Sequence, residues 1–187
     1  MSRPERRRGA AYGAALCCAA YGAMKLAQAL GGTVLADKDP LPPELRERLL
    51  ARDPLFVASH WLLATAAVLG VVAALATVRP WGARAPRRLL LGFSGVLGAA
   101  MILRSVGVAG FGFVGDVLVL TSTPTGSAEH AELARELARW DLLLWSPFFL
   151  LWGVCWLLTA WPLRGVHGSR PASRTPRNLP TDFSSLG

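Results

Sequence analysis

Four long apolar segments, separated by short polar or charged stretches, dominate the pattern along the chain. They cover residues 9–30, 55–78, 89–113 and 140–161, approximately. A helix rises about 1.5 Å per residue, so each segment is long enough to cross a hydrocarbon core about 30 Å thick. The pattern predicts an all-α fold: a four-helix transmembrane bundle.

The first segment also has some features of a cleavable signal peptide. Residues 1–8 are basic, and residues 27–29, Ala-Gln-Ala, fit a cleavage site. However, the apolar run over 9–24 is slightly long for a signal peptide and Lys25 lies close before the cut, so we interpret the segment as a retained span. At 100° per residue, one face of this helix is predicted to turn toward the bundle interior. This face carries Cys18, Tyr21, Lys25 and Gln28.

The links between the spans, and the segment after the last span, are mainly polar. Residues 31–53 contain a short helix after Pro43, which either rests on the membrane surface or is a solvated connector. After a turn-rich stretch, Ser127 is predicted to cap a helix that runs directly into the fourth span, where Pro147 should produce a kink. Residues 162–187 are rich in Arg, Pro and Ser and are predicted to be a disordered tail.

Charge predicts the orientation of the chain. The N-terminus, the link between the second and third spans, and the C-terminal tail each carry four arginines, whereas the other two links carry more acidic than basic residues. The positive-inside rule therefore predicts that both termini are cytoplasmic.

Composition narrows the class further. Only 17% of the residues are charged, against about 25% in soluble domains. The net charge of +8 comes from short flanks of the spans, which argues against nucleic-acid binding. Cys17, Cys18 and Cys155 lie inside apolar segments without C-x-x-C spacing, which argues against disulfides or a zinc site. The richness in Ala, Gly, Leu and Arg indicates a GC-rich bacterial genome, and with four spans we expect a multi-pass protein of the bacterial plasma membrane.

Five ionisable residues are predicted to lie in the outer half of the bundle, and Trp145 shares a helix face with one of them. Intramembrane ionisable residues are costly and often mark functional sites. One interpretation is that the cations pair with the aspartates, or extend outward toward the membrane surface, and only fix helix register. The other is an outward-facing pocket for an anionic or amphipathic small ligand. The candidate pocket comprises Lys25, His60, Arg104, Asp116, Asp141 and Trp145.

Asp116 joins this layer only if the glycine-rich run over 107–115 stays helical or folds back. If the third helix is continuous, Ser94, Ser105 and Asp116 nearly stack, together with Gly98. A break in the run is the alternative, because irregular backbone is tolerated at membrane depth where it lines a cavity. The run has neither the preceding strand nor the basic residue that a phosphate-binding loop needs.

These observations favour a non-enzymatic ligand-binding or transport-related module. There are two alternatives. One is an assembly subunit of a membrane complex, and the other is a membrane enzyme that uses His60 with Asp116 or Asp141 as acid and base. No catalytic residue, cofactor or metal is predicted; the lipid bilayer is the expected partner, and homo- or hetero-oligomers are left open. Small multidrug exporters with four spans commonly rely on a buried glutamate in the first span. This chain has Lys25 in its first span, which argues against drug–cation antiport.

The chain resembles a family of small four-pass bacterial membrane proteins known only as a domain of unknown function. The resemblance covers residues 9–162. It rests on the first helix, with its basic start and Gly-Gly exit, and on a final helix opened by Trp140-Asp141. It implies a four-helix membrane fold and transfers no activity or site residues.

Overall fold

A computed structural model of the protein describes residues 3–33, 43–107, 112–122 and 128–164, and this part of the chain is helical with short turns. The predicted all-α class is confirmed. In chain order the elements are α1 (Arg3–Ala29), α2 (Pro43–Leu50), α3 (Pro54–Ala76), a 3₁₀ turn (Pro80–Arg84), α4 (Arg87–Val106), α5 (Phe113–Thr121), α6 (Ala128–Trp140), a π-helical turn (Asp141–Trp145) and α7 (Ser146–Arg164).

Four helical stretches are long and apolar enough to cross a membrane, as the pattern predicts. They are Arg8–Ala29, Pro54–Ala76, Arg87–Val106 and Ala131–Trp161. The last stretch joins α6, the π-helical turn and α7 without interruption, which confirms the predicted run of one helix into the fourth span. Ser127 lies outside the described residues, as does the tail beyond residue 164; α7 includes residues 162–164, which were expected to be tail.

The third span ends earlier than the predicted residue 113. Helix α4 stops at Val106 because Gly107 adopts a left-handed conformation, with φ 101°, and its N–H bonds to the carbonyl of Leu103. A separate helix, α5, starts at Phe113 after Gly112, whose φ is also positive, at 100°. The continuous third helix was therefore wrong, and the alternative of a break in the glycine-rich run is what the chain adopts.

The four apolar stretches form two antiparallel pairs, α1 with α3 and α4 with α7, and the contact of α1 with α7 joins the pairs. Small residues set the distances within each pair. A Cβ at Gly22 would lie 2.8 Å from the Cβ of Ala67 in α3, and a Cβ at Gly153 would lie 2.9 Å from the carbonyl oxygen of Gly98 in α4. Close approach of backbones through small residues is typical of membrane helices.

The two ends of the bundle differ in chemistry. We call the end that holds the start of α1 and the link from α3 to α4 the basic end; its exposed arginines include Arg8, Arg84 and Arg88. The opposite, distal end holds the C-terminal turns of α1 and α4, the start of α3 and the π-helical turn. All six residues of the candidate pocket belong to the distal part of the molecule.

Candidate functional site

A buried ion pair joins α4 to the π-helical turn at the distal end. The Nη2 of Arg104 lies 2.8 Å from Oδ1 of Asp141, and Nη1 donates to Oδ2 at 3.3 Å. The side chain of Asp141 is fully buried, whereas that of Arg104 is 26% exposed. The two parallel N–H groups match the carboxylate geometry, which makes this a strong, oriented contact.

Further hydrogen bonds complete the environment of Asp141. The backbone N–H of Gly112 donates to Oδ2 at 2.9 Å, and the hydroxyl of Ser146 donates to the same oxygen at 3.2 Å. The hydroxyl of Ser105 in α4 donates in turn to the carbonyl of Ser146 at 2.7 Å. Asp141 therefore ties together α4, the start of α5 and α7.

The π-helical turn explains how Asp141 reaches this position. The N–H of Ser146 bonds to the carbonyl of Asp141, five residues back instead of four. Pro147 follows directly, and it has no N–H to donate to the carbonyl of Leu143. The irregularity expected at Pro147 thus takes the form of a wide turn immediately before it, and such turns are often found at functional sites.

Asp116 contributes a second carboxyl group from α5. Its side chain is buried, and its Oδ2 has no hydrogen-bond partner among the described residues. Helix α5 lies outside the four candidate spans. Burial raises the pKa of the Asp116 carboxyl to about 7, and the neighbouring Asp141 carboxyl adds to this rise, whereas Arg104 opposes it.

A second polar group lies on α1 and α3. Lys25 is 6% exposed, and its Nζ donates to the side-chain carbonyl of Gln28 at 3.0 Å. In the antiparallel register Gly22 faces Ala64 and Ala67. Because the two helices are antiparallel, residues later in α1 lie beside residues earlier in α3. Gln28 is therefore at the level of His60, and Lys25 lies about one turn closer to the basic end.

His60 presents one ring nitrogen to its own helix and one to the interior. Its Nδ1 lies 2.8 Å from the carbonyl oxygen of Phe56, which can only accept, so Nδ1 carries the hydrogen. The other ring nitrogen, Nε2, is buried and has no partner among the described residues. The acid–base pairing of His60 with Asp116 or Asp141 is thus not found in the described part of the chain.

An aromatic cluster separates the two cations. The Nζ of Lys25 lies 5.7 Å from the centre of the Tyr21 ring, and the Cζ of Arg104 lies 5.3 Å from that of the Phe149 ring. Tyr21 and Phe149 meet edge to face at 6.1 Å. Trp145, which is buried, tilts against Phe149 at 6.4 Å. Cations over aromatic faces are stabilised by the ring quadrupole.

The helix faces predicted from the sequence are largely the buried ones. Helix α1 buries Cys18, Lys25 and Gln28, and α4 buries Ser94, Gly98 and Ser105. The last helix buries Trp145 together with Asp141, and the same helix also buries Trp152, Trp156 and Thr159.

Two partners of Asp141 were missed, namely Ser146 and Gly112. Ser146 could have been identified from the sequence, because it is a polar residue next to Pro147 in an otherwise apolar helix. A backbone donor such as Gly112 leaves no trace in side-chain chemistry.

Comparison with curated proteins and with solved structures finds no match for this chain. A family model matches residues 18–156, which include the candidate residues from Lys25 to Trp145. The chain therefore belongs to the family described as "Protein of unknown function (DUF3995)".

Proposed function

We propose that this protein is a non-enzymatic, ligand-binding or transport-related module that takes an anionic or amphipathic ligand at its distal end. The observation that carries the proposal is the burial of Lys25 and His60 within about one turn of each other on neighbouring helices, with Nε2 of His60 left unpartnered among the described residues. Burying an ionisable group at such a position raises the free energy of the folded state unless a partner or a ligand offsets it.

The two halves of the site have different roles in this proposal. Arg104 is committed to Asp141, and this pair acts as a fixed frame. Lys25 supplies the charge that attracts an anionic head group, and a hydroxyl on that head group can donate to Nε2 of His60. The aromatic cluster, with Tyr21 and Phe149, offers an apolar surface to the rest of the ligand.

The side of the membrane on which the site opens, and the membrane that holds the protein, are proposed from the sequence. Fewer basic residues flank the distal end than the basic end, so the positive-inside rule supports a site that opens away from the cytoplasm. The composition supports a bacterial source, and the four apolar stretches support a location in its plasma membrane.

Dodecyl phosphate is a suitable probe, because it is an anionic amphipath that is soluble in dodecyl maltoside micelles. We expect it to change the tryptophan fluorescence of the purified full-length protein in a saturable way, since Trp145 contacts Phe149. Lys25→Met should weaken binding by about tenfold or more, as expected for the loss of a charge-assisted contact. Lys25→Arg should retain most of the affinity.

Thr159→Val is the matched control, because Thr159 is also a buried polar residue but lies near the basic end. It should bind as the unchanged protein does. Equal affinities of the Lys25→Met variant and the unchanged protein, or equal binding of zwitterionic dodecyl phosphocholine, would contradict the proposal. Size-exclusion profiles verify that each variant is folded.

A further inference from the structure

Helix α5 reaches the Arg104–Asp141 pair through its first turn. It packs mainly on α6, and it touches the rest of the bundle chiefly at the π-helical turn and the end of α4. Later in the helix, Val117 and Leu118 are 47% and 61% exposed. The attachment of α5 to the ion pair therefore depends on the residues at its start, Gly112 and Asp116.

The backbone at Gly112 fits closely against the end of α4. Its N–H donates to Asp141, and a Cβ at this position would lie 2.5 Å from the carbonyl oxygen of Ser105 and 2.6 Å from that of Arg104. The N–H of Asp116 bonds in turn to the carbonyl of Gly112. The first turn of α5 thus places Asp116 beside the ion pair.

The resulting cluster holds two carboxyl groups and one guanidinium group. Arg104 directs two N–H groups to Asp141, and the Asp116 carboxyl, which is 4% exposed, is a neighbour of both. Its Oδ2 has no hydrogen-bond partner among the described residues. An ionised Asp116 would add a buried negative charge without a cation of its own, which is strongly unfavourable. A neutral Asp116 avoids this charge, and its O–H can donate to Asp141.

The remaining charged groups near α5 belong to α6. Because Gly112 bonds to Asp141 at the far end of α6, the two helices run antiparallel, and the start of α6, with Glu129 and His130, lies toward the end of α5. Arg135 is half-buried but lies about 9 Å along the helix from Asp141. The links 108–111 and 123–127 contain no titratable side chain. The other charged residues of α6 are exposed, namely Glu132, Glu136 and Arg139.

We propose that Asp116 is a proton-binding site that holds the first turn of α5 on the Arg104–Asp141 pair. When Asp116 loses its proton to solvent, it carries the same charge as Asp141, and the two carboxylates repel each other across one guanidinium. The first turn of α5 is then released from the pair. This inference does not depend on a ligand at Lys25.

The pKa of Asp116 sets the pH range of the release. Burial raises this pKa to about 7 in the attached state, from an ordinary value of 3.8. The attached state therefore binds more protons between these values than the released state does. The ratio of released to attached protein should rise about tenfold per pH unit from pH 4 to 7 and level off above 7.

Hydrogen–deuterium exchange of the full-length protein in detergent, read by mass spectrometry, tests the proposal. After correction for the intrinsic exchange rate, the amides of α5 should be less protected at pH 8 than at pH 5 by about tenfold or more. Those of α4 should stay protected. Asp116→Asn keeps the shape of the side chain and cannot ionise, so it should keep α5 protected at both pH values. Asp116→Leu replaces it if that variant does not fold.

Glu136→Gln is the matched control, because Glu136 is an exposed acidic residue on α6. It should show the same pH dependence as the unchanged protein, and so should Lys25→Met, which keeps this test separate from that of the proposed function. Equal protection of α5 at pH 5 and 8 in the unchanged protein would overturn the proposal. A full pH dependence in Asp116→Asn, or its loss in Lys25→Met, would do the same.

Discussion

Among single residues, Asp141 is the group on which the distal end depends, because it receives hydrogen bonds from Arg104, Gly112 and Ser146. The substitution Arg104→Met leaves the negative charge of Asp141 buried without a cation. We expect the free energy of unfolding to fall by about 3–5 kcal/mol, the usual cost of removing one member of a buried ion pair. Thermal or denaturant unfolding of the purified protein in detergent measures this.

The double variant Arg104→Met/Asp141→Leu provides the control for that measurement. Since it removes both charges, it should recover much of the lost stability. An Arg104→Met variant as stable as the unchanged protein would contradict the structural role of the pair and make Arg104 a candidate ligand contact again.

Asp116 makes the stability of the distal end depend on pH. Its pKa rises to about 7 in the folded protein, from an ordinary value of 3.8, mainly through burial. The folded state therefore binds more protons between these values, so the stabilisation is complete below about pH 4 and is lost as pH rises through 7. Asp116→Asn should flatten the difference in melting temperature between pH 5 and 8; an unchanged difference would contradict this assignment.

Residue chemistry explains which site residues could be predicted. Lys25, Arg104 and Asp141 stand out because ionisable groups are rare in apolar segments. Their pairing could not be deduced, since the π-helical turn decides where Asp141 lies relative to α4. Asp116 joins the site from a separate helix, α5, and not from the predicted stack with Ser105.

Among the helices, the α4–α7 crossing depends on two facing glycines. A Cβ at Gly153 would lie 2.9 Å from the carbonyl oxygen of Gly98 and 2.7 Å from the side chain of Ile102. Gly153→Ala should therefore lower stability by about 1–3 kcal/mol, through overpacking. Among the described residues, a Cβ at Gly95, also on α4, would meet no atom within 4 Å apart from its chain neighbours and the backbone of its own helix. Gly95→Ala should therefore be neutral or stabilise by up to about 1 kcal/mol.

Equal effects of the two alanine substitutions would contradict this account of the crossing. A thermal unfolding series of both single variants, in one detergent, makes the comparison direct. Because both replace a helical glycine by alanine, the gain in helix propensity is the same, and the difference reports the packing alone.

The helices also show where prediction from hydrophobic pattern ends. Apolar length was sufficient to locate the four candidate spans. The break after Val106 was left open because the apolar pattern continues through it, and only the left-handed conformation of Gly107 ends the helix. Backbone conformation at a glycine is decided by tertiary context, so hydropathy does not report it.

In the whole molecule the pair α1 with α3 contacts the pair α4 with α7 mainly through α1 and α7. The four long helices are therefore better described as a row, in the order α3, α1, α7, α4, than as a square bundle. The twelve arginines of the N-terminus, the α3–α4 link and the tail are predicted to face one side. A reporter fused after Gly187 should therefore be active in the cytoplasm. Activity only on the opposite side would overturn the predicted orientation and, with it, the outward opening of the distal site.

The central claim, an outward-facing ligand site around Lys25, is tested most directly by thiol labelling at Gln28, which bonds to Lys25. The variant Gln28→Cys, in intact cells, should react with a membrane-impermeant maleimide added from outside, and dodecyl phosphate should protect it. The control Thr159→Cys, near the basic end, should stay unlabelled. Labelling of Gln28→Cys only in inverted vesicles, or labelling that dodecyl phosphate leaves unchanged, would contradict the account.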